Sequence, residues 1–591
     1  MKKINKFDLK NRIEPFIYDK LTQNEYELLE IDAKKLLTWN RLDLAFKIFY
    51  LKYKDILPEL ALEVYKADLS VLTLGSFSEH GNPKKNNFND YVIEFNRISN
   101  EIRVDGFNFT KSVIPLSKQK TIQNGSHRVS SVILYDKKVF GINTKLDAMN
   151  CSYLLYEKYG LCEKYLDIAV QTFIEYAENI YIAFLWPSGN HSKDKVLEKF
   201  NNVVYHKKIK LTPQGGFNLL IELYKHMDWV GDKQSGFKGA KQKLLECFPN
   251  FESFSVVVFQ GESIEEVRKL KEEVRQVYNI GFSSIHITDT REEAIRISKL
   301  IFNQNGLHFL NYAQPYKYDN TQEKIERFKS FIKENSLTQE NLLLDGGILL
   351  SLYGLREASD IDYLGIVNDL TKKYKEIDQH DEELKFHKQS KNELIYNPEY
   401  HFWYNGVKFI SFNQLYSMKK HRAETKDKND CMMMQSKISN HFFQLYYSKI
   451  KQFVNYKKLR YSHLLNKARK KYLPQKKYLP QNVIFARTLR RLDNELKLLK
   501  QRNGKFILYG SGTGANLILQ YLKENVEFIV DQDINKVGCS MYEIDIVNVD
   551  KLRESELPII VSVFDRSDSI VKNLMNTYSI PKDRIVNFFK G

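Results

Sequence analysis

The stretch Leu344-Asp-Gly-Gly-Ile-Leu-Leu-Ser-Leu-Tyr-Gly-Leu-Arg-Glu-Ala-Ser-Asp-Ile-Asp-Tyr-Leu364 joins an apolar run to a glycine pair and then to two carboxylates one residue apart. Leu342 to Leu344 read as a buried strand. Gly346 and Gly347 then turn the chain and let backbone N–H groups approach a triphosphate without interference from a Cβ. In an extended Asp-Ile-Asp-Tyr-Leu segment, side chains two apart share a face, so Asp360 and Asp362 converge while Ile361 faces the core. Two convergent carboxylates suit Mg²⁺, which takes one or two protein carboxylates and completes its shell with phosphate oxygens and water.

Twelve residues separate Gly347 from Asp360. With the glycine pair, that spacing and the apolar frame, residues 320 to 435 resemble the nucleotidyltransferase superfamily of the DNA polymerase beta type. The resemblance implies that Asp360 and Asp362 hold the catalytic metal and that Gly346 and Gly347 accommodate CTP or ATP. Lys426 and Lys428, in Arg422-Ala-Glu-Thr-Lys-Asp-Lys, are candidates to neutralise phosphate charge. Members that transfer nucleotides carry a third carboxylate on a later strand. No hydrophobic-Asp-hydrophobic triplet stands between Thr371 and Ser411, which leaves Asp381 or Glu393 for that position.

A chain of 591 residues exceeds one core, and about three to five domains are expected. Five scattered cysteines without CxxC spacing point to a reducing compartment rather than a zinc site or a disulfide framework. The charged start Met1-Lys-Lys-Ile-Asn-Lys-Phe-Asp leads into no apolar segment, and no stretch reaches the length of a membrane span, so a cytoplasmic protein is expected. The net charge of +17 favours polyanionic partners. Much of it falls between Lys449 and Arg502, where Lys-Lys-Tyr-Leu-Pro-Gln occurs twice in succession at 470 to 475 and 476 to 481. That segment reads as a solvated basic connector. Peripheral docking on an anionic membrane face ranks next, and nucleic acid ranks last.

Residues 1 to about 70 read as helices, with apolar residues at helical spacing over Leu21 to Leu37 and Asp43 to Tyr50. The segment Ser112-Val-Ile-Pro-Leu-Ser-Lys-Gln-Lys-Thr-Ile-Gln-Asn-Gly-Ser-His-Arg reads as a strand, a turn and a helix that opens at Gly125-Ser-His-Arg. Donors at Gly125 and Ser126, with His127 and Arg128, would receive a phosphate there. Ile114-Pro115 and Asn124-Gly-Ser-His-Arg128 resemble the ParB/sulfiredoxin fold, whose members include DNA-partitioning CTPases, sulfiredoxin and free amino-acid kinases. Ser126 stands where sulfiredoxin needs cysteine, which disfavours that reaction. The kinase resemblance implies an upstream glutamate as general base, and Glu79 is the candidate, with Lys85 as a phosphate contact.

Between residues 171 and 318 no known motif appears. Ser255-Val-Val-Val-Phe259 followed by Ser263 to Val277 forms a strand–helix unit, and Thr290 is positioned to cap a second helix. His286, Asp289 and His308 read first as core or capping groups. The alternative is that they line a substrate pocket together with Trp229-Val-Gly-Asp232. The final segment, Lys505-Phe-Ile-Leu-Tyr-Gly-Ser-Gly-Thr-Gly-Ala515, reads as a strand and a glycine-rich turn into a helix over Ala515 to Lys523. A second strand, Val526-Glu-Phe-Ile-Val-Asp531, follows. It resembles a half-Rossmann fingerprint, with Gly510 and Gly512 admitting a pyrophosphate and Asp531 reaching a ribose.

The chain is therefore expected to be α/β and α+β and multidomain. A helical lead with a ParB/sulfiredoxin-like module spans 1–170, and an α/β domain of unassigned role spans 171–318. A nucleotidyltransferase-like domain (319–435), a basic helical connector (436–503) and a Rossmann-like domain (504–591) follow. The combination resembles composite proteins of bacterial capsule and lipopolysaccharide pathways. It implies a transferase: a Mg²⁺-dependent nucleotidyltransferase, with a possible N-terminal kinase step, that activates a small molecule or sugar. The alternatives are a sugar or phosphoryl transferase using a nucleotide-activated donor, and a non-enzymatic ParB-like DNA-binding protein.

Overall fold

The computed structural model describes residues 2–79, 85–366, 374, 376–438, 504–512, 515, 518–519, 523–563 and 567–587. The chain is mixed α/β, and its contacts divide it into two compact units, Met1–Met434 and Gln435–Gly591. No helix among the described residues is long and apolar enough to cross a membrane.

The first unit begins with a short antiparallel pair, Lys3–Asn5 with Glu25–Glu27. A three-stranded sheet follows, in which Lys138–Asn143 runs between Leu29–Asp32 (antiparallel) and Ile114–Leu116 (parallel). The helical expectation for Leu21 to Leu37 is thereby corrected. Glu25-Tyr26-Glu27 alternates exposed and buried positions, a period of two that pays off only once a partner strand is present. Asp43–Tyr53 is helical, as its spacing predicts, and nine of its positions are buried.

Four antiparallel strands, in the spatial order Val203–Ile209, Phe254–Gln260, Ile180–Leu185 and Ile285–Ile287, form the next sheet. Phe254–Gln260 is a central strand of apolar and β-branched residues, all but the last buried. The amphipathic helix Ile264–Tyr278 leaves it through Ser263, whose hydroxyl accepts from the Glu266 N–H. Thr290 caps Arg291–Ile301 in the same way.

The candidate site lies on a five-stranded mixed sheet. Leu342–Asp345 is its centre and is buried throughout, which is why it reads as a continuous apolar run. It pairs antiparallel with Ile361–Gly365 and parallel with Val407–Ile410, while Ile377–Gln379 pairs parallel with Ile361–Gly365.

In the second unit a parallel sheet places Ile544–Asn548, Val526–Asp531, Phe506–Tyr509, Ile559–Val561 and Ile585–Asn587 side by side. This is the third-second-first-fourth-fifth order of a doubly wound sheet. The connector expected at 436–503, apart from the helical end at Ile438, and most of the helix expected from Ala515 lie outside the described residues.

Candidate active site

Pairing registers bring three aspartates into one row. Asp345 at the end of the central strand lies opposite Asp362, and Asp362 lies beside Asp378 on the next strand. Residues paired in register project from the same face. Asp345 is fully buried, Asp362 is 7% exposed, and the Asp378 side chain is open to solvent. Asp360 is exposed just before its strand.

Two histidines are threaded into this row. His380 Nε2 lies 3.3 Å from Asp362 Oδ1 and 3.7 Å from Asp378 Oδ2. His387 Nε2 lies 3.6 Å from Asp345 Oδ2, and both atoms are buried without a hydrogen-bond partner. Burial would raise the Asp345 carboxyl, but His387 and the Gly346 N–H hold it below the usual range. Burial pushes Asp362 up to about 6, aided by the negative charges of Asp360 and Asp345 and opposed by His380. A raised carboxylate among like charges is the electrostatic state that a cation relieves.

The first glycine of the pair is required by packing. Gly346 has φ +65°, and a Cβ there would stand 2.2 Å from Asp362 Oδ2. At Gly347 the nearest atom to a built Cβ is Arg356 Nη1 at 3.5 Å. Arg356 is the cation of this site. Its Nε and Nη2 donate to the two oxygens of Asp430 at 2.7 and 2.9 Å, a bidentate clamp. Asp430 also takes Lys419 at 2.9 Å, and Asp427 takes Lys419 and Arg422. The helix Thr425–Ile438 thus presents its aspartates inward. Lys426 and Lys428, the expected phosphate contacts, are both exposed, and Lys426 pairs with Glu424.

The positions considered for a third carboxylate are used otherwise. Glu393 closes a capping box with Ser390, and Asp381 pairs with Lys391. Asp378 takes the place beside Asp362. Its only sequence signal is Ile377-Asp-Gln, half of the expected triplet. Among the described residues no group of three or more histidine, cysteine or acidic side chains is arranged to hold a metal ion. Of the two carboxylates expected to hold Mg²⁺, Asp360 is exposed and Asp362 is buried, on either side of Ile361 at the start of the strand.

In the N-terminal module Glu79, Lys85, Gly125 and His127 line one cavity of about 930 Å³, which Ser126 joins, and another of about 400 Å³, which Arg128 joins. Glu79 and Lys85 form an ion pair at 2.7 Å. Gly125, at φ +95°, caps the helix Ser126–Leu134. His127 is committed to the protein: Nε2 lies 2.7 Å from the Tyr65 hydroxyl, and burial drives the imidazole well below its usual pKa. Arg128 donates to Glu14 at 2.8 Å and to Ser112 at 2.6 Å. His127 and Arg128, both expected to receive an anion, thus each have partners within the protein.

At the C-terminal turn Gly510 has φ +96°, and a Cβ would meet Val563; at Gly512 a Cβ would meet nothing within 4 Å. Asp531, expected to reach a ribose, accepts through Oδ2 from the Ser511 N–H at 2.8 Å and from its hydroxyl at 2.5 Å, which braces the turn. His308 lies apart, with Nδ1 2.8 Å from the Tyr353 hydroxyl, and Asp232 caps its own turn through Ser235. No protein-family profile, curated protein or solved structure matches this chain.

Proposed function

We propose that the chain is a Mg²⁺-dependent nucleotidyltransferase that activates a small, sugar-like acceptor, with the five-stranded sheet of the first unit as its catalytic platform. The observation that carries this reading is the packing of Gly346 onto Asp362, in a row of aspartates crossed by His380 and flanked by Arg356.

Asp360 and Asp362 are the residues that would hold Mg²⁺, which when bound neutralises triphosphate charge and polarises the phosphoryl oxygens. Arg356, held by Asp430, stands beside Gly347, where its guanidinium would meet phosphate oxygens. His380 holds the Asp362 carboxylate in place from the Asp378 side. An acceptor oxygen would then form a bond to the α-phosphorus as the α–β bridging P–O bond breaks and pyrophosphate leaves, the proton of an attacking hydroxyl passing to solvent. Positioning and charge supply the catalysis.

The test is mass analysis of products after incubating the full chain with each nucleoside triphosphate, Mg²⁺ and a pool of sugars, polyols and amino acids. Replacing Asp360 and Asp362 together by alanine is expected to lower pyrophosphate release at least about a hundredfold. Release at the unmodified rate in that variant would overturn the reading.

A phosphoryl-transfer step in the N-terminal module is a second reading, favoured by the enclosure of Glu79, Lys85 and Gly125 around one cavity. Its acceptor phosphate would appear in the same products, and Glu79→Gln is expected to remove it while leaving pyrophosphate release intact.

A further inference from the structure

A cavity of about 530 Å³ opens beside the four-stranded antiparallel sheet, and the nucleotidyl-transfer reading leaves it without a role. Its volume falls within the range of small-molecule sites. Two large aromatic side chains stand at its wall against the usual preference for burial: Trp229 is 47% exposed and Phe282 is 74% exposed. Tyr224 backs them, its ring 5.2 Å from that of Trp229.

The Trp229 platform is built into the fold. It belongs to the turn Asp228–Val230, and the helix Lys238–Cys247 approaches so closely that a Cβ on Gly239 would stand 1.7 Å from the Trp229 carbonyl oxygen. Only glycine permits that approach. On the other wall the Arg275 guanidinium lies 4.6 Å from the Phe282 ring, a cation–π contact that orients both groups.

Three cations, Lys243, Lys271 and Arg275, line the cavity with two carboxylates, Glu246 and Asp289, and Arg275 also pairs through Nη1 with Glu272. Lys243 is fixed by the Phe282 carbonyl and the Ser283 hydroxyl at 2.8 and 3.1 Å. Lys271 stands 3.7 Å from Asp289, too far for a good hydrogen bond, so its ammonium retains donor capacity. Aromatic faces beside Lys271 and Arg275, whose N–H groups outnumber their pairings with Asp289 and Glu272, suit a ring with an apolar face that carries an anionic group.

We propose that this cavity binds a phosphorylated ring compound, a sugar phosphate or a nucleotide, with the ring against Trp229 and Phe282 and the phosphate toward Lys271 and Arg275. The two sources share this chemistry and are separated by the probes below.

The test uses the full chain carrying 5-fluorotryptophan at its four tryptophans, Trp39, Trp186, Trp229 and Trp403, read by fluorine NMR. Trp229→Phe identifies the local resonance, so nucleotide bound elsewhere does not register. Glucose 1-phosphate or UMP is expected to shift that resonance saturably, and the one that does identifies the source; unphosphorylated glucose is expected to leave it in place. Lys271→Ala with Arg275→Ala is expected to raise the half-saturating concentration at least about tenfold. The unchanged resonance of Trp186, buried in the same unit, verifies that this variant is folded. The proposal is overturned if neither phosphorylated probe moves the Trp229 resonance at about 10 mM. It is overturned equally if inorganic phosphate alone acts as strongly, or if the double variant binds unchanged.

Discussion

At the scale of single residues, Gly346 and Lys408 make the sharpest claims. Gly346→Ala adds a methyl 2.2 Å from Asp362 Oδ2 in a backbone conformation, φ +65°, that alanine resists. The variant is expected to lose at least about tenfold in pyrophosphate release and about 1–3 kcal/mol of stability, read by turnover and by urea titration. Lys408 is buried, donates to the Ile395 carbonyl at 2.6 Å and to that of Glu340, and is driven by burial to about 7 from 10.5. Between those values the unfolded chain binds a proton that the folded chain does not. Stability therefore rises with pH across that window and is lost as pH falls toward 7. Lys408→Met is expected to flatten the rise of Tm between pH 7 and 10; an identical slope in both proteins would refute the assignment. The approach of Gly346 to Asp362 is legible in the sequence because the spacing that produces it is local. Arg356 is not, although it lies within the same stretch. What marks it is Asp430, 74 residues downstream, and no local pattern encodes that pairing.

At the scale of elements, the helix Thr425–Ile438 acts through its inward aspartates. Asp430→Ala frees Arg356 and leaves Lys419 with Asp427 alone. The expected result is a rise in KM for the nucleoside triphosphate of about tenfold or more, with a stability loss of about 1–3 kcal/mol. Unchanged KM would show that the clamp serves folding only. Elements with a long period are the ones a sequence displays. The strand Phe254–Gln260, the helix Ile264–Tyr278 and the two strands around the C-terminal glycine turn all fall where apolar runs and caps place them. Glu25–Glu27 and Leu29–Asp32 escape because three or four residues offer too few repeats to separate a period of two from one of 3.6. Asp378 escapes for a related reason. Its three-residue strand follows Lys372-Lys-Tyr-Lys-Glu, whose charge masks the single apolar position before it.

At the scale of the molecule, every residue assigned to nucleotidyl transfer belongs to the unit Met1–Met434. A chain ending at residue 438 is expected to keep its nucleotide-dependent pyrophosphate release, measured against the full chain at equal concentration. Complete loss in a folded truncated protein would assign the second unit a part in the reaction. Within the first unit, the salt bridge from Glu14 to Arg128 spans 114 positions of chain and closes one wall of the N-terminal cavity. Contacts of such long sequence separation carry a large loop-closure cost until the intervening helices have docked. The cavity is therefore expected to close late: a refolding chain would recover its helical signal first and its capacity to enclose a small molecule last.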